Sequence, residues 1–337
     1  MVDMARFARF PLGHLPTPLE PLDRLTALLR DRHPRVPNLW IKRDDCTGLA
    51  TGGNKTRKLE YLVGDALAQG ADVLLTQGAT QSNHARQTAA AAARAGLECL
   101  LLLERRQTRD EDYEHSGNVL LDELLGATIV ARPPSGTDMQ AALESLADDL
   151  RAQGRRPYVI PGGGSNPVGA LGYVACALEL AGAPVRADWV VHATGSTGTQ
   201  AGLVAGLKAA GSPAKVLGVS VRQPEQAQVD AVHALAEPVA ASIGTAVARG
   251  DVVVDDRWVG EGYGLPTQSM VDAVRLLGST EGILLDPVYS GKAFAGLLGR
   301  IAEGRFAETD NVVFLHTGGA VGLFAYRATF QQAHRPG

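Results

Sequence analysis

In the stretch Thr51-Gly52-Gly53-Asn54-Lys55-Thr56-Arg57-Lys58-Leu59-Glu60, two glycines and an asparagine lead into a lysine. Apolar residues then recur at Leu59, Leu62, Val63, Ala66 and Leu67, the spacing of a helix with one buried face. Lys55 therefore falls on the first helical turn, beside backbone that can approach a ligand closely. A helix N-terminus disfavours a second positive charge, so the amine should lose its proton more readily there. A neutral lysine amine in a pocket is what carbonyl chemistry requires. A phosphate loop of the G-x-x-x-x-G-K-[ST] kind is the nearest competing pattern, and it fails. Counted from Gly48, Gly53 is in place, but Asn54 stands where the lysine should be and Lys55 comes one residue late.

The 337 residues suffice for one large domain or two modest ones. With 45% hydrophobic residues, 20% charged residues and a net charge of -4, the composition is that of a globular protein without a basic stripe, so nucleic acid is not an expected partner. Residues 1–10 lack the apolar core of a signal peptide. No apolar run reaches the roughly 18 residues that span a bilayer, so no membrane partner is expected. Cys46, Cys99 and Cys176 are far apart and odd in number, which argues against a disulfide framework and for a reducing, cytoplasmic setting; their spacing is wrong for a zinc site, and no metal ligand is assigned. Cys46, close to Lys55, is expected to be a buried structural thiol.

Short apolar runs alternate with alanine-rich helical stretches. Strands are expected at 72–76, 99–103, 158–160, 189–192, 216–221, 283–285 and 312–315. Helices are expected at 87–94 (stopped by Gly96), 169–180 and 201–209, and residues 132–139 form a surface loop. Such alternation implies an α/β fold with a mostly parallel sheet covered on both faces. Ligands in these folds bind beyond the carboxyl ends of the strands. Four polar, glycine-bearing loops fall there: Gln77 to His84, Thr194 to Thr199, Asp286 to Lys292, and His316-Thr317-Gly318-Gly319.

Thr194, Gly195, Ser196, Thr197, Gly198 and Thr199 combine convergent backbone amides, three hydroxyls beyond Thr194 and a following helix, which makes a cup for one phosphate. The loop does not match G-x-G-x-x-G and holds no lysine, so neither a dinucleotide nor a magnesium triphosphate is indicated. A lysine amine with a monophosphate cup suggests pyridoxal 5'-phosphate, an electron sink for a carbanion at the α-carbon. Asn83 can hydrogen-bond the ring hydroxyl, and Ser82 can receive a carboxylate or relay a proton. Thr317 can meet the pyridine nitrogen; a neutral hydroxyl there weakens the sink and favours elimination of a good leaving group. Tyr289 can stack on the ring or act as an acid. His316, behind an apolar strand, reads as a satisfied core histidine.

Together, Gly52 to Glu60, Gln81-Ser82-Asn83, Asp286-Pro287-Val288-Tyr289 and His316-Thr317-Gly318-Gly319 resemble the aminocyclopropane-carboxylate deaminase/D-cysteine desulfhydrase family of fold-type-II pyridoxal-phosphate enzymes. The resemblance runs from about Phe10 to Tyr326. It implies a tryptophan synthase β-like fold of two open α/β domains, with a smaller domain (56–161) inserted in a larger one (1–55 and 162–337). It also implies a homodimer, Lys55 as the Schiff-base lysine with Asn54 beside it, Thr317 at the pyridine nitrogen, and Ser82, Asn83 and His84 around substrate and cofactor. Tyr263 and Tyr289 are the implied active-site tyrosines. Ser290 and His84 depart from the deaminases. The runs Arg43 to Leu49, Thr76 to Gln87, Ile160 to Pro167 and His192 to Gly195 look closer to L-cysteate sulfo-lyases than to D-cysteine desulfhydrases. The implied reaction is α,β-elimination on a small amino acid, L-cysteate ahead of D-cysteine, with Thr80, Gln81 and His84 as donors to the sulfonate. A β-replacement synthase and a non-catalytic cofactor-binding protein stay open, and Thr197 stands where smaller residues are more usual.

Overall fold

The computed structural model describes residues 2–107 and 109–332. It contains two sheets. The larger has the order β1-β2-β10-β7-β8-β9 and the smaller β5-β4-β3-β6, where β1 is Leu19–Pro21, β2 Asn38–Arg43, β3 Val73–Ala79, β4 Glu98–Glu104 and β5 Thr128–Ala131. The remaining strands are β6 Pro157–Ile160, β7 Trp189–Thr194, β8 Lys215–Ser220, β9 Val253–Asp255 and β10 Asn311–His316. Among the described residues, only the β1–β2 pair is antiparallel.

The strand registers explain why the polar loops meet. His316 lies opposite Arg43 and Thr194 opposite Ser220, so β2, β10, β7 and β8 end along one edge. In the smaller sheet Ala79 lies opposite Glu104, and Thr76 opposite Ile160. Helices cover both faces of the larger sheet. Val190, Val216, Val313 and Leu315 pack with the Pro167–Ala181, Gly198–Ala209 and Glu225–Ser242 helices. Val191, Leu217, Val312 and Phe314 face the Gln268–Glu281 and Ser290–Ala302 helices. This double burial is why these strands read as continuous apolar runs.

The helices expected from 87, 169 and 201 begin earlier, at Asn83, Pro167 and Gly198. Polar first turns hid these starts from the apolar pattern. Segment 283–285 is a correction. Ile283 and Leu285 are buried and Leu284 is exposed, the alternation of a strand, yet the segment joins no ladder. The Leu284 carbonyl instead accepts a hydrogen bond from His316 Nε2 at 3.0 Å. β2 was not apparent because Lys42 occupies a buried position in it. The Lys42 amine is satisfied by Glu179 at 2.9 Å and by the Thr17 carbonyl at 2.6 Å. Cys46 is exposed, contrary to expectation, while Cys99 and Cys176 are buried; it sits on a short 3-10 turn whose buried side is taken by Asp44 and Thr47.

One ion-pair cluster fixes the start of the Lys55–Ala68 helix. Arg57 is buried and grips Asp44 with Nε and Nη2 at 2.8 and 2.9 Å. Its Nη1 and Nη2 also reach Glu179 at 2.8 and 2.9 Å. Tyr173 and Thr17 donate to Asp44 at 2.6 and 2.8 Å. Close helix packing adds to this: a Cβ on Gly172 would lie 2.2 Å from the Arg57 carbonyl oxygen. The Arg57 pair and the two hydroxyls hold the Asp44 carboxyl below its usual range, against the opposing cost of burial. With the folded value depressed, this stabilisation is present above the unfolded carboxylate range and is lost as pH falls through the folded value. Asp44→Asn removes the more deeply buried of the two carboxylates on Arg57 and leaves it Glu179 alone, so a loss of about 3 kcal/mol is expected, read as a lower urea midpoint at pH 7.

Candidate active site

The loops from both sheets enclose a cavity of about 270 Å³. Lys55 lines it, half-buried, on the first turn of its helix. Its amine donates to Asn54 Oδ1 at 2.9 Å, and Asn54 Nδ2 donates to Thr199 Oγ1 at 3.1 Å. Asn54 thus ties the lysine to the glycine-rich cup. Burial pushes the Lys55 amine down to about 8, and the Arg86 charge adds to the effect against a smaller opposing pull from Asp286. The low value was expected, but its source is burial and Arg86 more than the helix end. Arg86 is itself buried, donating to the Gly52 carbonyl at 2.9 Å and to Asn83 and Asn118 at 2.9 and 2.6 Å.

Ser82 caps the Asn83–Ala95 helix, its Oγ accepting from the Ala85 amide at 3.1 Å. Gly78 leaves the space, since a Cβ there would lie 2.3 Å from Ser82 Oγ. Asn83 Oδ1 accepts from Arg86 and from Asn118 Nδ2 at 2.9 and 3.1 Å. That use of the carbonyl leaves the Asn83 amide NH2 for the cavity it lines. Thr317 also lines the cavity, and its carbonyl accepts from the Asn54 amide at 3.0 Å. Gly318, at φ +84°, packs its Cα side against Gly53, where a Cβ would come within 2.7 Å of the Gly53 Cα.

Thr194, Gly195, Ser196, Thr197 and Thr199 line the cavity, with Gly198 opening the Gly198–Ala209 helix behind them. The Gly198 amide donates to the Ser196 carbonyl at 2.7 Å, closing a γ-turn centred on Thr197 at φ +62°, ψ -45°. Thr194 Oγ1 accepts from Gln228 Nε2 at 2.9 Å. Lys58, which the sequence pattern did not single out, is buried beside this cup. Its amine has only neutral partners, the Gly163 carbonyl at 3.0 Å and Ser165 Oγ at 3.3 Å. Among the described residues no carboxylate pairs with it. Burial, and then Lys55, hold its pKa well below the ordinary lysine range. A buried amine beside a helix N-terminus regains its charge only against an anion, and a phosphate in the cup would supply one. Its place one turn beyond Lys55 on the same helix was the available signal.

Tyr263 and Tyr289 both line the cavity and join hydroxyl to hydroxyl, their rings edge-on at 5.8 Å. Burial, before any charge effect, raises both phenols, so they stay protonated at neutral pH and can donate. Asp286 accepts from the amides of Val288, Tyr289 and Ser290 at 2.8, 2.9 and 2.6 Å, which fixes the Tyr289 turn. Ser290 Oγ donates to the same carboxylate at 2.6 Å and so serves that turn. His316 is buried and bonded on both ring nitrogens, a core residue as expected.

The expected sulfonate donors are corrected. Gln81 does not line the cavity. Its amide nitrogen donates to the Tyr113 and Ser116 carbonyls at 2.6 and 2.9 Å, and its oxygen accepts from the Asn118 amide at 2.9 Å. Thr80 is fully buried away from the cavity. His84 does line it, but as an acceptor. Thr76 spends its proton on the Ile160 carbonyl at 2.8 Å, so His84 Nε2 must donate to Thr76 Oγ1 at 2.8 Å, and Nδ1 carries a lone pair. Burial keeps the ring neutral. Arg106 and Arg222, not anticipated from the sequence, also line the cavity.

An α/β fold with parallel strand ends around a half-buried lysine amine and a glycine-rich loop at a helix N-terminus fits an enzyme class that binds a phosphorylated aldehyde cofactor. The chain matches the family described as pyridoxal-phosphate dependent enzyme over residues 11–318, and it belongs to that family. Its cofactor is pyridoxal 5'-phosphate, and the residues around Lys55 and Lys58 fit the group. A D-cysteine desulfhydrase of Klebsiella pneumoniae subsp. pneumoniae is 48% identical over 96% of this chain and 98% of its own length. One of Salmonella newport is 47% identical over 96% of this chain and 97% of its own length. A solved structure of an ACC deaminase homologue superposes with a TM-score of 0.88 at 37% identity, covering 98% of this chain and 97% of that one. O-ureido-L-serine synthase, at 20% identity and a TM-score of 0.65, shares the fold. No helix among the described residues is long and apolar enough to cross a membrane, and no metal-ligand cluster occurs among them.

Two outcomes follow. Because the Lys55 amine loses its proton near 8, capture of added cofactor by apoprotein should accelerate from pH 7 to 9 and level off above; stopped-flow absorbance reads this, and Lys55→Ala should give no covalent capture at any pH. Thr197→Gly removes a side chain from a strained positive-φ position, so a stability gain of about 1 kcal/mol is expected by thermal unfolding.

Proposed function

We propose that this protein catalyses α,β-elimination on an amino acid bearing sulfur at its β-carbon, releasing pyruvate, ammonia and the sulfur leaving group with consumption of one water. The observation that carries this is the convergence, in one cavity, of a lysine amine near 8, a monophosphate cup and a protonated tyrosine pair. When bound, the cofactor supplies an electron sink for charge developing at the substrate α-carbon. Lys55 holds it and, once freed, moves the α-proton. Lys58 and the Gly195, Ser196, Thr197 and Thr199 amides hold its phosphate, with Thr194 and Asn54 bracing the cup. Asn83 donates its amide to the cofactor ring, and Thr317 offers a neutral hydroxyl to the ring nitrogen. Ser82, at a helix N-terminus, receives the substrate carboxylate. The Tyr263–Tyr289 pair protonates the departing sulfur.

For the substrate, D-cysteine is the first reading, giving sulfide. Relatives at 47–48% identity over nearly the whole chain are D-cysteine desulfhydrases, and this supports D-cysteine better than the L-cysteate ranked first by motif likeness. L-cysteate, giving sulfite, is the second reading, favoured by two guanidinium groups on the cavity wall. Ring-opening deamination finds no support at Ser290, whose hydroxyl is committed to Asp286. The two sheets support reading 56–161 as a smaller domain inserted in 1–55 and 162–337. A homodimer in the cytoplasm completes the proposal.

Purified holoenzyme should release pyruvate from D-cysteine with equimolar sulfide, or from L-cysteate with equimolar sulfite, when the two are run side by side. Lys55→Ala should lower either rate by about a thousandfold or more, as loss of a covalent catalyst does. Pyruvate from neither substrate, with holoenzyme absorbance intact, would overturn the elimination reading.

A further inference from the structure

The cavity wall opposite the cup carries a second concentration of positive charge. Arg106 follows the end of β4 in the smaller sheet, and Arg222 follows the end of β8 in the larger one. Both line the main cavity, and both also line a shallower one of about 550 Å³ outside it, so they stand at the passage between the two. Arg106 gives its Nε to Glu104 and lays its guanidinium 5.0 Å from the Tyr263 ring centroid, while its two terminal nitrogens have no partner among the described residues. Arg222 is exposed, and its side chain has no partner among the described residues. Glu104 neutralises one of the two charges and leaves the other for a ligand. Both guanidinium groups bias the Tyr263 hydroxyl toward its ionised form, which places their field at the tyrosine pair.

Resting on the elimination reading, we propose that Arg106 and Arg222 are the residues that admit an anionic β-substituent, a sulfonate as well as a thiol. The proposed ligand has three anionic groups to place. The phosphate has the cup with Lys58, and the α-carboxylate has the helix N-terminus at Ser82. The passage beside the tyrosines is the third position, and it alone offers unpaired guanidinium donors. A sulfonate presents three acceptor oxygens to planar donor forks, whereas a thiol presents one weak acceptor. Thr80, Gln81 and His84 cannot serve it: two lie outside the cavity and the third offers a lone pair.

The test compares cysteate with β-chloroalanine of the same chirality, both enantiomers, in holoenzyme. Chloride leaves β-chloroalanine by the same elimination without a charged β-substituent in the ground state. In R222Q and R106Q the ratio of kcat/KM for cysteate to that for β-chloroalanine should fall by about tenfold or more, the scale of a lost charge-assisted hydrogen bond. The fall should lie in KM, and R222K should recover part of it. A ratio unchanged in both variants overturns the proposal, as does an equal loss for both substrates, which would make the pair a guide for the α-carboxylate. Pyruvate from β-chloroalanine with none from either enantiomer of cysteate overturns the proposal while the elimination reading stands; if wild-type holoenzyme forms no pyruvate from these or from D-cysteine, the elimination reading fails by itself. Titration of the holoenzyme absorbance with cysteate then decides the arginines: a dissociation constant about tenfold weaker in R222Q supports them, and an equal one overturns them.

Discussion

The bidentate pair between Arg57 and Asp44 is the constraint on which the site depends. Asp44 directly follows β2, and Arg57 lies two residues beyond Lys55, so the pair sets where the lysine helix begins relative to the larger sheet. Glu179 and Tyr173 extend the grip to the Pro167–Ala181 helix. Buried charge is expensive unless every donor is met, and here Asp44 receives the guanidinium and two hydroxyls. The result is a rigid first turn that sets Lys55 on the cavity wall and Lys58 buried beside the cup. Lys55 meets a hydrogen-bonding asparagine there, and Lys58 meets only neutral oxygens beside a helix N-terminus.

The same economy appears in the loops. Several residues in the cavity are aimed by a neighbour that takes up their other hydrogen-bonding capacity. Asn83 turns its NH2 inward because Arg86 and Asn118 occupy its oxygen. His84 offers Nδ1 because Thr76 occupies Nε2. Tyr289 is set by the three amides that fold around Asp286. Arg86 reaches across from the smaller sheet to the Gly52 carbonyl, and its charge also lowers the Lys55 pKa, so one buried side chain both joins the sheets and tunes the amine. Thr197 is the exception, a β-branched residue at positive φ whose strain is held by the γ-turn and the helix it opens.

Much of this was legible in the chain, and the limits were physical. Doubly buried parallel strands betray themselves as apolar runs, so β3, β4, β6, β7, β8 and β10 were visible. β2 was not, since its Lys42 is buried by partners 25 and 137 positions away, at Thr17 and Glu179. Segment 283–285 had the pattern of a strand but not a neighbouring edge to pair with. Gln81 looked like a substrate contact because it sits beside Ser82 and Asn83, yet its amide is consumed by the 113–118 turn, a contact no local pattern encodes.

The sequence by itself determined the parallel α/β class, the lysine and the glycine-rich cup, because these depend on local periodicity and on residue types at strand ends. The tertiary structure decided which polar groups remain free to act. That is a matter of hydrogen-bond capacity already spent, and it is settled by residues remote in the chain. It withdrew Thr80 and Gln81 from the cavity, made His84 an acceptor, and supplied Lys58 with the want of an anion. It also brought Arg106 from one sheet and Arg222 from the other to the same passage, a convergence set by the order and register of parallel strands.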